Sequence, residues 1–239
     1  MLFRQLFEPV SSAYTYLIAC DEMREAALID PVLETTDRDL QVLRELGLAL
    51  KYTIETHIHA DHVTGAARLR ELTGCKAAVP EKSSADHADL AIREGEPILV
   101  GKLRLEPLYT PGHTDDHHAY YLQSPDAARL FAGDVLLIDG CGRTDFQNGS
   151  AATLYRSVHE KIFSLPDDTL VYPGHDYQHR RVSSVAQERE RNPRLGAGRS
   201  VEEFIAIMSE LHLPRPNKMD VAVPANLACG EGGDRTVPT

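Results

Sequence analysis

The small number of cysteines and the absence of long apolar runs bear on the cellular location of the protein. The 239 residues include only four cysteines, at positions 20, 75, 141 and 229, and none forms a C-x-x-C pair, so neither a structural disulfide framework nor a zinc knuckle is indicated. No apolar run approaches the length of a membrane span, and the first residues lack the basic start and apolar core of a signal peptide. We therefore expect a cytoplasmic protein without membrane association.

The chain also lacks an excess of positive charge. It has 25 lysines and arginines against 36 aspartates and glutamates, which gives a formal net charge of -11 when the histidines are neutral. A phosphate backbone would be repelled by the chain as a whole, and no basic tract offsets this repulsion. Nucleic acid is therefore not an expected partner.

No linker rich in proline, glycine and serine interrupts the chain, and we find no internal repeat. A chain of this length can bury a large core by itself. We therefore predict a single domain over residues 1–229. Residues 230–239 lack an apolar pattern and are predicted to be a polar C-terminal tail, ordered only if another part of the protein holds it.

Three histidines and an aspartate lie within six residues, in an H-x-H-x-D-H pattern that starts at His57. The preceding residues 50–55 alternate in character like a strand. Side chains two apart in a strand point the same way, so His57 and His59 can face one point. Asp61 and His62 follow as the chain turns. This pattern predicts a metal site.

Three further candidate ligands follow strand-like runs and lie next to glycines, namely His113, Asp134 and His175. A glycine lets the backbone bend tightly enough to bring a side chain from a buried strand to a shared cleft. Each of these residues alone would be interpreted as an ordinary turn or surface residue. Together with the H-x-H-x-D-H pattern they predict one composite metal centre.

This ordered set of motifs resembles that of the metallo-β-lactamase superfamily, from about residue 12 to about residue 229. The resemblance implies an α+β fold, a four-layer αββα sandwich with the metal cleft at one edge of the two sheets. The residue pattern predicts strands at 14–19, 26–29, 52–56, 103–108, 119–122 and 170–172. It predicts one helix from Leu154, Val158 and Ile162 at steps of four, and another that starts at a capping box of Ser200 and Glu203.

Residues outside the metal motifs indicate which family within this superfamily the chain resembles. Residues 140–147, Gly-Cys-Gly-Arg-Thr-Asp-Phe-Gln, resemble the persulfide dioxygenase (sulfur dioxygenase) family, in which such a segment follows the metal-binding aspartate. Further matches are residues 173–177, 188–195, 213–216 and 222–226. The resemblance implies one Fe(II) per chain and the oxidation of glutathione persulfide with O₂ and water to glutathione and sulfite.

In this family the iron is implied to be held by His57, His113 and Asp134. Two imidazoles and one carboxylate leave three positions for a sulfur substrate and dioxygen. Zinc could not supply this chemistry because it has no accessible second oxidation state. The other polar motif residues are implied to hydrogen-bond to ligands or waters and to keep that face open; they are His59, Asp61, His62 and His175.

The implied substrate carries two carboxylates, and a planar guanidinium can bind each of them with paired hydrogen bonds. The resemblance implies that Arg143 and Arg194 lie in the substrate region and that Tyr177 and Cys141 lie close to the iron. A surface ion pair is the alternative interpretation for each arginine. For Cys141, the alternative is a buried small apolar residue, and the choice is left open.

The residues after His113 depart from the family pattern. The resemblance implies a glycine and a small or apolar residue there, whereas this chain has Asp115-Asp116-His117-His118. An extra metal-binding pair is one interpretation of the two histidines. We expect instead a solvated turn followed by the start of a strand.

Two other functions use the same motifs. A glyoxalase II-like hydrolase would cleave a glutathione thioester with a hydroxide on a dinuclear zinc site. The short C-terminal part and residues 140–147 argue against it. A catalytically silent metal- or persulfide-binding module would be marked by a missing ligand, and none is missing. A homodimer is left open.

Overall fold

The computed structural model describes residues 1–232, and these gather into two compact units. The first unit contains Met1–Ile92, Leu99–Arg104 and the segment that begins at Arg215. The second contains Arg93–Ile98 and Leu105–Pro214. The single domain over residues 1–229 stays a prediction, and most of the predicted tail, residues 233–239, lies outside the described part. The first tail residues are held, since Glu231 pairs with Arg70 at 2.7 Å.

The first sheet contains six strands: β1 (Leu2–Phe7), β2 (Tyr14–Cys20), β3 (Glu25–Ile29), β4 (Ala49–Ile54), β5 (Lys76–Pro80) and β6 (Leu90–Ile92). They lie in sequence order. The pairs from β1 to β3 are antiparallel and those from β3 to β6 are parallel. Parallel neighbours need crossover connections, and two of these contain α1 (Thr36–Glu45) and α2 (Ala66–Thr73).

This parallel pairing positions the first group of motif residues. Strands β3 and β4 run in the same direction, so their carboxyl ends meet at one edge of the sheet. Asp30 follows β3, and its backbone N–H donates to the Ile54 carbonyl at the end of β4, at 2.9 Å. The H-x-H-x-D-H loop therefore starts beside a buried aspartate.

The second sheet also contains six strands: β7 (Ile98–Val100), β8 (Leu103–Tyr109), β9 (His118–Gln123), β10 (Ala128–Gly133), β11 (Leu170–Pro173) and β12 (Ser183–Ser184). Their order in space is β12-β11-β10-β9-β8-β7. Strands β9 and β10 are antiparallel, whereas β10 and β11 are parallel. The remaining helices are α3 (Ala151–Arg156), α4 (Val185–Arg191), α5 (Val201–Ser209) and α6 (Met219–Leu227).

Both predicted helices are confirmed. Leu154, Val158 and Ile162 are completely buried, but α3 continues from Ser157 to Ile162 as a π-helix, closed by a bond from the Phe163 N–H to the Val158 carbonyl. At α5, Ser200 and Glu203 form both bonds of the capping box. No helix within residues 1–232 has the length and apolar character needed to cross a bilayer.

The six predicted strands all coincide with observed ones. The largest difference is at β4, which begins three residues before the predicted start at residue 52 and ends two residues before the predicted end at residue 56. Strands β1, β5, β6, β7, β10 and β12 were not among the six. Of these, β6, β7 and β12 have three residues or fewer, which is too short to show an alternating pattern. Strand β10 was indicated only by the strand-like run before Asp134.

Candidate metal centre

A chain of hydrogen bonds that starts at Asp30 orients His57. Asp30 adopts a left-handed conformation, with φ at 50°, and its carboxylate accepts from the Thr56 backbone N–H at 2.7 Å and from the Thr56 hydroxyl at 2.9 Å. Because this hydroxyl hydrogen points to Asp30, Thr56 Oγ1 accepts from His57 Nδ1 at 2.9 Å. His57 is therefore the tautomer whose lone pair lies on Nε2, which leaves this nitrogen able to bind a metal.

His59 is buried between two carboxylates. Its Nε2 lies 3.1 Å from Asp30 Oδ1 and 3.6 Å from Glu55 Oε2. Burial by itself lowers the pKa of His59, but the charges and hydrogen bonds of Asp30 and Glu55 outweigh burial and raise this pKa well above its usual value. His59 thus stabilises Asp30, and through Asp30 it stabilises Thr56 and His57.

Asn226, in α6, fixes the rest of this loop. Its side-chain amide donates to the carbonyls of His59 and His62, both at 2.9 Å, and its oxygen accepts from the Thr64 N–H at 2.8 Å. Asp61 contacts His62 Nδ1 at 2.9 Å. Potential ligand atoms of His59, Asp61 and His62 lie within 4.8 Å of one another, so the donor types of this loop could also hold a cation.

In the second unit, Asp134 and His175 meet because they follow the parallel strands β10 and β11. His175 Nδ1 donates to Asp134 Oδ1 at 2.7 Å. A Cβ at Gly174 would lie 2.5 Å from the same oxygen, so a residue with a side chain could not approach Asp134 this closely. The contact between His175 and Asp134 therefore requires the glycine at position 174.

His113 is oriented by the main chain. Its Nδ1 donates to the Arg143 carbonyl at 2.7 Å, and because a carbonyl only accepts, the lone pair of this imidazole lies on Nε2. His113 Nε2 lies 3.6 Å from Asp134 Oδ2. Two ligand atoms that bind one ion at about 2.1 Å are separated by about 3 to 3.5 Å. The donor set fits a shared metal ion, and the observed spacing is only slightly wider than this range.

The expectation of a solvated turn at His117 and His118 is wrong. Both side chains are buried, with 0% and 3% exposure. His117 Nε2 accepts from the Asp134 backbone N–H at 3.2 Å, and His118 Nδ1 donates to the Asp116 carbonyl at 2.9 Å. Burial is tolerated because these ring nitrogens are hydrogen-bonded. The predicted strand start is confirmed at His118, the first residue of β9.

The guanidinium of Arg143 is largely engaged within its own unit. It forms a bidentate pair with Asp145, at 2.6 and 2.8 Å, and Nη1 donates to the Pro214 carbonyl at 2.6 Å. It also lies over the Phe146 ring, 4.4 Å from the centroid. This geometry holds two loops together, and a substrate carboxylate would have to compete with Asp145.

Arg194 differs from Arg143. Its Nη1 donates to the Cys141 carbonyl at 2.9 Å, and within residues 1–232 no carboxylate forms an ion pair with it. Cys141 is buried against Met208, and burial raises the pKa of its thiol to about 11. Tyr177 is 74% exposed, with its ring nearly parallel to that of His175 at 6.3 Å. The roles assigned to these residues stay predictions.

Glu188 and Asn192 explain why residues 188–195 form a motif. Buried Glu188 accepts from the Asp139 N–H at 3.0 Å and from the Asn192 amide at 2.8 Å. Asn192 also donates to the Gly140 carbonyl and accepts from the Arg194 N–H, both at 3.0 Å. These bonds fix Arg194 to the loop that contains Cys141, a function that the sequence motif alone did not reveal.

Comparison with known proteins shows which family the chain belongs to. Residues 9–175 match the metallo-beta-lactamase superfamily. Human "Persulfide dioxygenase ETHE1, mitochondrial" is 54% identical over 231 residues, which cover 96% of this chain and 89% of the human protein. The crystal structure of ETHE1 from Myxococcus xanthus has a TM-score of 0.92 and 53% identity, covering 96% of this chain and all (100%) of that one.

A hydroxyacylglutathione hydrolase from Polaromonas sp. (strain JS666 / ATCC BAA-500) is less similar, with 40% identity over 69% of this chain and 62% of its own length. The predicted α+β sandwich of the metallo-β-lactamase type is confirmed by the fold that this chain shares with the Myxococcus protein. Because more than half of the aligned residues are identical over nearly the whole chain, it belongs to the persulfide dioxygenase family of the metallo-beta-lactamase superfamily.

Proposed function

We propose that this protein is an iron-dependent dioxygenase that converts glutathione persulfide, O₂ and water into glutathione and sulfite. The outer sulfur of the persulfide gains three oxygen atoms, two from O₂ and one from water, and glutathione leaves as the thiol. The observation that carries the proposal is the 54% identity to a persulfide dioxygenase over 96% of the chain, against 40% over 69% for a hydrolase.

We assign the iron ligands to His57 Nε2, His113 Nε2 and one oxygen of Asp134. Bound Fe(II) would supply electrons and open positions for sulfur and dioxygen. The protein's own contribution is orientation. Thr56 and the Arg143 carbonyl fix the tautomers of the two imidazoles, and His175 fixes the carboxylate. Ligands held in this way need little rearrangement when the metal binds.

The first test is the metal content. Protein from iron-replete medium is expected to contain about one iron per chain and little zinc, as a single centre with two imidazoles and one carboxylate requires. Elemental analysis of the purified protein measures both metals. Two zinc ions per chain, together with thioester hydrolysis that survives strict anaerobiosis, would support the hydrolase instead.

The second test concerns substrate recognition, for which Arg194 is the better candidate because it has no carboxylate partner in the described chain. Arg194→Ala is expected to weaken transition-state binding of glutathione persulfide by about 2 to 4 kcal/mol, seen mainly in kcat/KM. The loss for a small alkyl persulfide should be much smaller, because that substrate has no glutathionyl carboxylate. Oxygen-electrode kinetics on both substrates measure the difference.

Arg143→Ala is expected to behave differently, because Arg143 already pairs with Asp145 and ties down the Pro214 loop. Its loss should reduce turnover of both persulfides by similar factors. Arg156→Ala, an exposed arginine on α3, is the control and should change neither. Equal losses of Arg194→Ala on both substrates would contradict a carboxylate-binding role for this residue.

A cytoplasmic location and a homodimer also stay proposals. Light scattering of the purified protein would give the mass of the assembly. Fractionation of the source cells would give the location.

A further inference from the structure

His117 lies in the segment where this chain departs from the family pattern, and its side chain contacts both His113 and Asp134 in the second unit. The ring is completely buried. It packs edge-on against His113, with ring centroids 6.4 Å apart and planes at 83°. Its Nε2 reaches the backbone N–H of Asp134 at 3.2 Å. One side chain therefore contacts both proposed ligands of this unit.

The hydrogen bonds of the two ring nitrogens of His117 show which nitrogen carries the hydrogen. The Asp134 N–H can only donate, so Nε2 of His117 accepts and the ring hydrogen lies on Nδ1. Nδ1 then donates to Thr110 Oγ1 at 3.0 Å, while the Thr110 hydroxyl is directed to the Leu108 carbonyl at 3.3 Å. Thr110 Oγ1 also accepts from the Ala119 N–H at 3.0 Å. The imidazole is held at both nitrogens.

The Asp134 N–H needs such an acceptor because it lies beyond the regular part of the sheet. The register of β10 against β11 shifts between Phe131 and Gly133, and Gly133 has a φ of 51°. A backbone N–H that is shielded from water destabilises the fold when it has no hydrogen-bond partner. His117 supplies the partner and ties the start of Asp134 to the loop that carries His113.

We propose that His117 is a positioning residue of the metal centre, which sets how the His113 imidazole and the Asp134 carboxylate converge on one metal ion. The inference rests on the proposed assignment of these two residues as ligands. It does not depend on the identity of the substrate.

The test uses two variants of the full chain. In His117→Gln, an amide oxygen lies near the position of Nε2 and can still accept from Asp134. In His117→Asn, the amide is at the position of Nδ1 and reaches only Thr110. Cobalt(II) is the probe, because its visible absorption reports ligand geometry. Its affinity is measured by titrating the apoprotein in competition with a chelator.

His117→Asn is expected to weaken cobalt binding about 10- to 100-fold and to change the visible spectrum. His117→Gln should stay close to the wild type. Thermal unfolding of the two apoproteins should be similar, so that stability does not account for the difference. His159→Gln is the control, since the ring of His159 stacks on Tyr155 and its one hydrogen bond within residues 1–232 is to the Leu195 carbonyl, at 3.0 Å; it should leave cobalt binding unchanged.

Wild-type affinity and spectrum in His117→Asn, or equal losses in the two variants, would overturn the proposal. Thr110→Val provides a milder variant if the His117 changes prevent folding. It removes the Nδ1 partner but keeps the ring, and unchanged cobalt binding there would count against the proposal as well. Cobalt binding is measured without substrate, so protein that passes this test but oxidises no persulfide would contradict only the proposed function.

Discussion

Replacing His57, His113 or Asp134 with alanine is expected to abolish both iron retention and oxygen uptake. Each change removes one of three proposed ligands, and the two that remain cannot hold a labile divalent ion against dialysis. His62→Ala should keep substantial iron, because His62 contacts Asp61 and the Asn226 amide bonds its carbonyl, which alanine also has. Iron analysis after dialysis and oxygen-electrode rates on the same samples test both statements.

His118→Ala is the matched control, because it removes another buried histidine near His113 in the sequence, one whose Nδ1 donates to the Asp116 carbonyl. It should lower stability and leave the iron content near that of the wild type. Equal loss of iron from the His62 variant and the three ligand variants would contradict a mononuclear centre. It would favour a site in which the H-x-H-x-D-H loop binds a second ion.

Gly112→Ala is expected to lower the free energy of unfolding by about 3 to 5 kcal/mol. Gly112 has a φ of 137°, in a region that residues with side chains rarely adopt. A Cβ there would also overlap the Cα and N atoms of Leu154, which lies in α3 and is completely buried. Backbone strain and the clash add, and His113 must move with the turn. Urea unfolding followed by circular dichroism measures the loss.

Gly198→Ala separates the two contributions. Gly198 has a φ of 70°, but a Cβ there would have no neighbour within 4 Å, so only the backbone strain, about 1 to 2 kcal/mol, is expected. If both variants lose the same stability, the helix that carries Leu154 shifts to accommodate the methyl group, and the larger value is wrong.

The candidate ligands could be recognised in the sequence because their signal is local. His57, His59, Asp61 and His62 follow β4 directly, and Asp134 follows a glycine at the end of its own strand. Such patterns combine a period of two with a turn, both of which are set by neighbouring residues. The capping box at Ser200 was predictable for the same reason.

The supporting contacts could not be recognised because their partners are far apart in sequence. Asp30 bonds to Thr56 across 26 positions, and Asn226 bonds to His59 across 167. In the sequence, an aspartate before a proline indicates only a turn. His117 was assigned to solvent for the same reason. The burial of His117 depends on a strand pairing that brings Asp134 next to it. A local pattern of polar residues does not indicate that pairing.

The two proposed ligands of the second unit differ in how easily a single mutation can disturb their orientation. His113 is aligned by the carbonyl of residue 143, and any amino acid at that position supplies a carbonyl. Asp134 is aligned by the side chains of His117 and His175, which single substitutions can erase. A substitution at residue 143 therefore keeps the hydrogen bond to His113, whereas a substitution at residue 117 or 175 can remove a hydrogen bond to Asp134. Substitutions that retune this metal are therefore expected at positions 117 and 175, while the hydrogen bond that fixes the tautomer of His113 is retained.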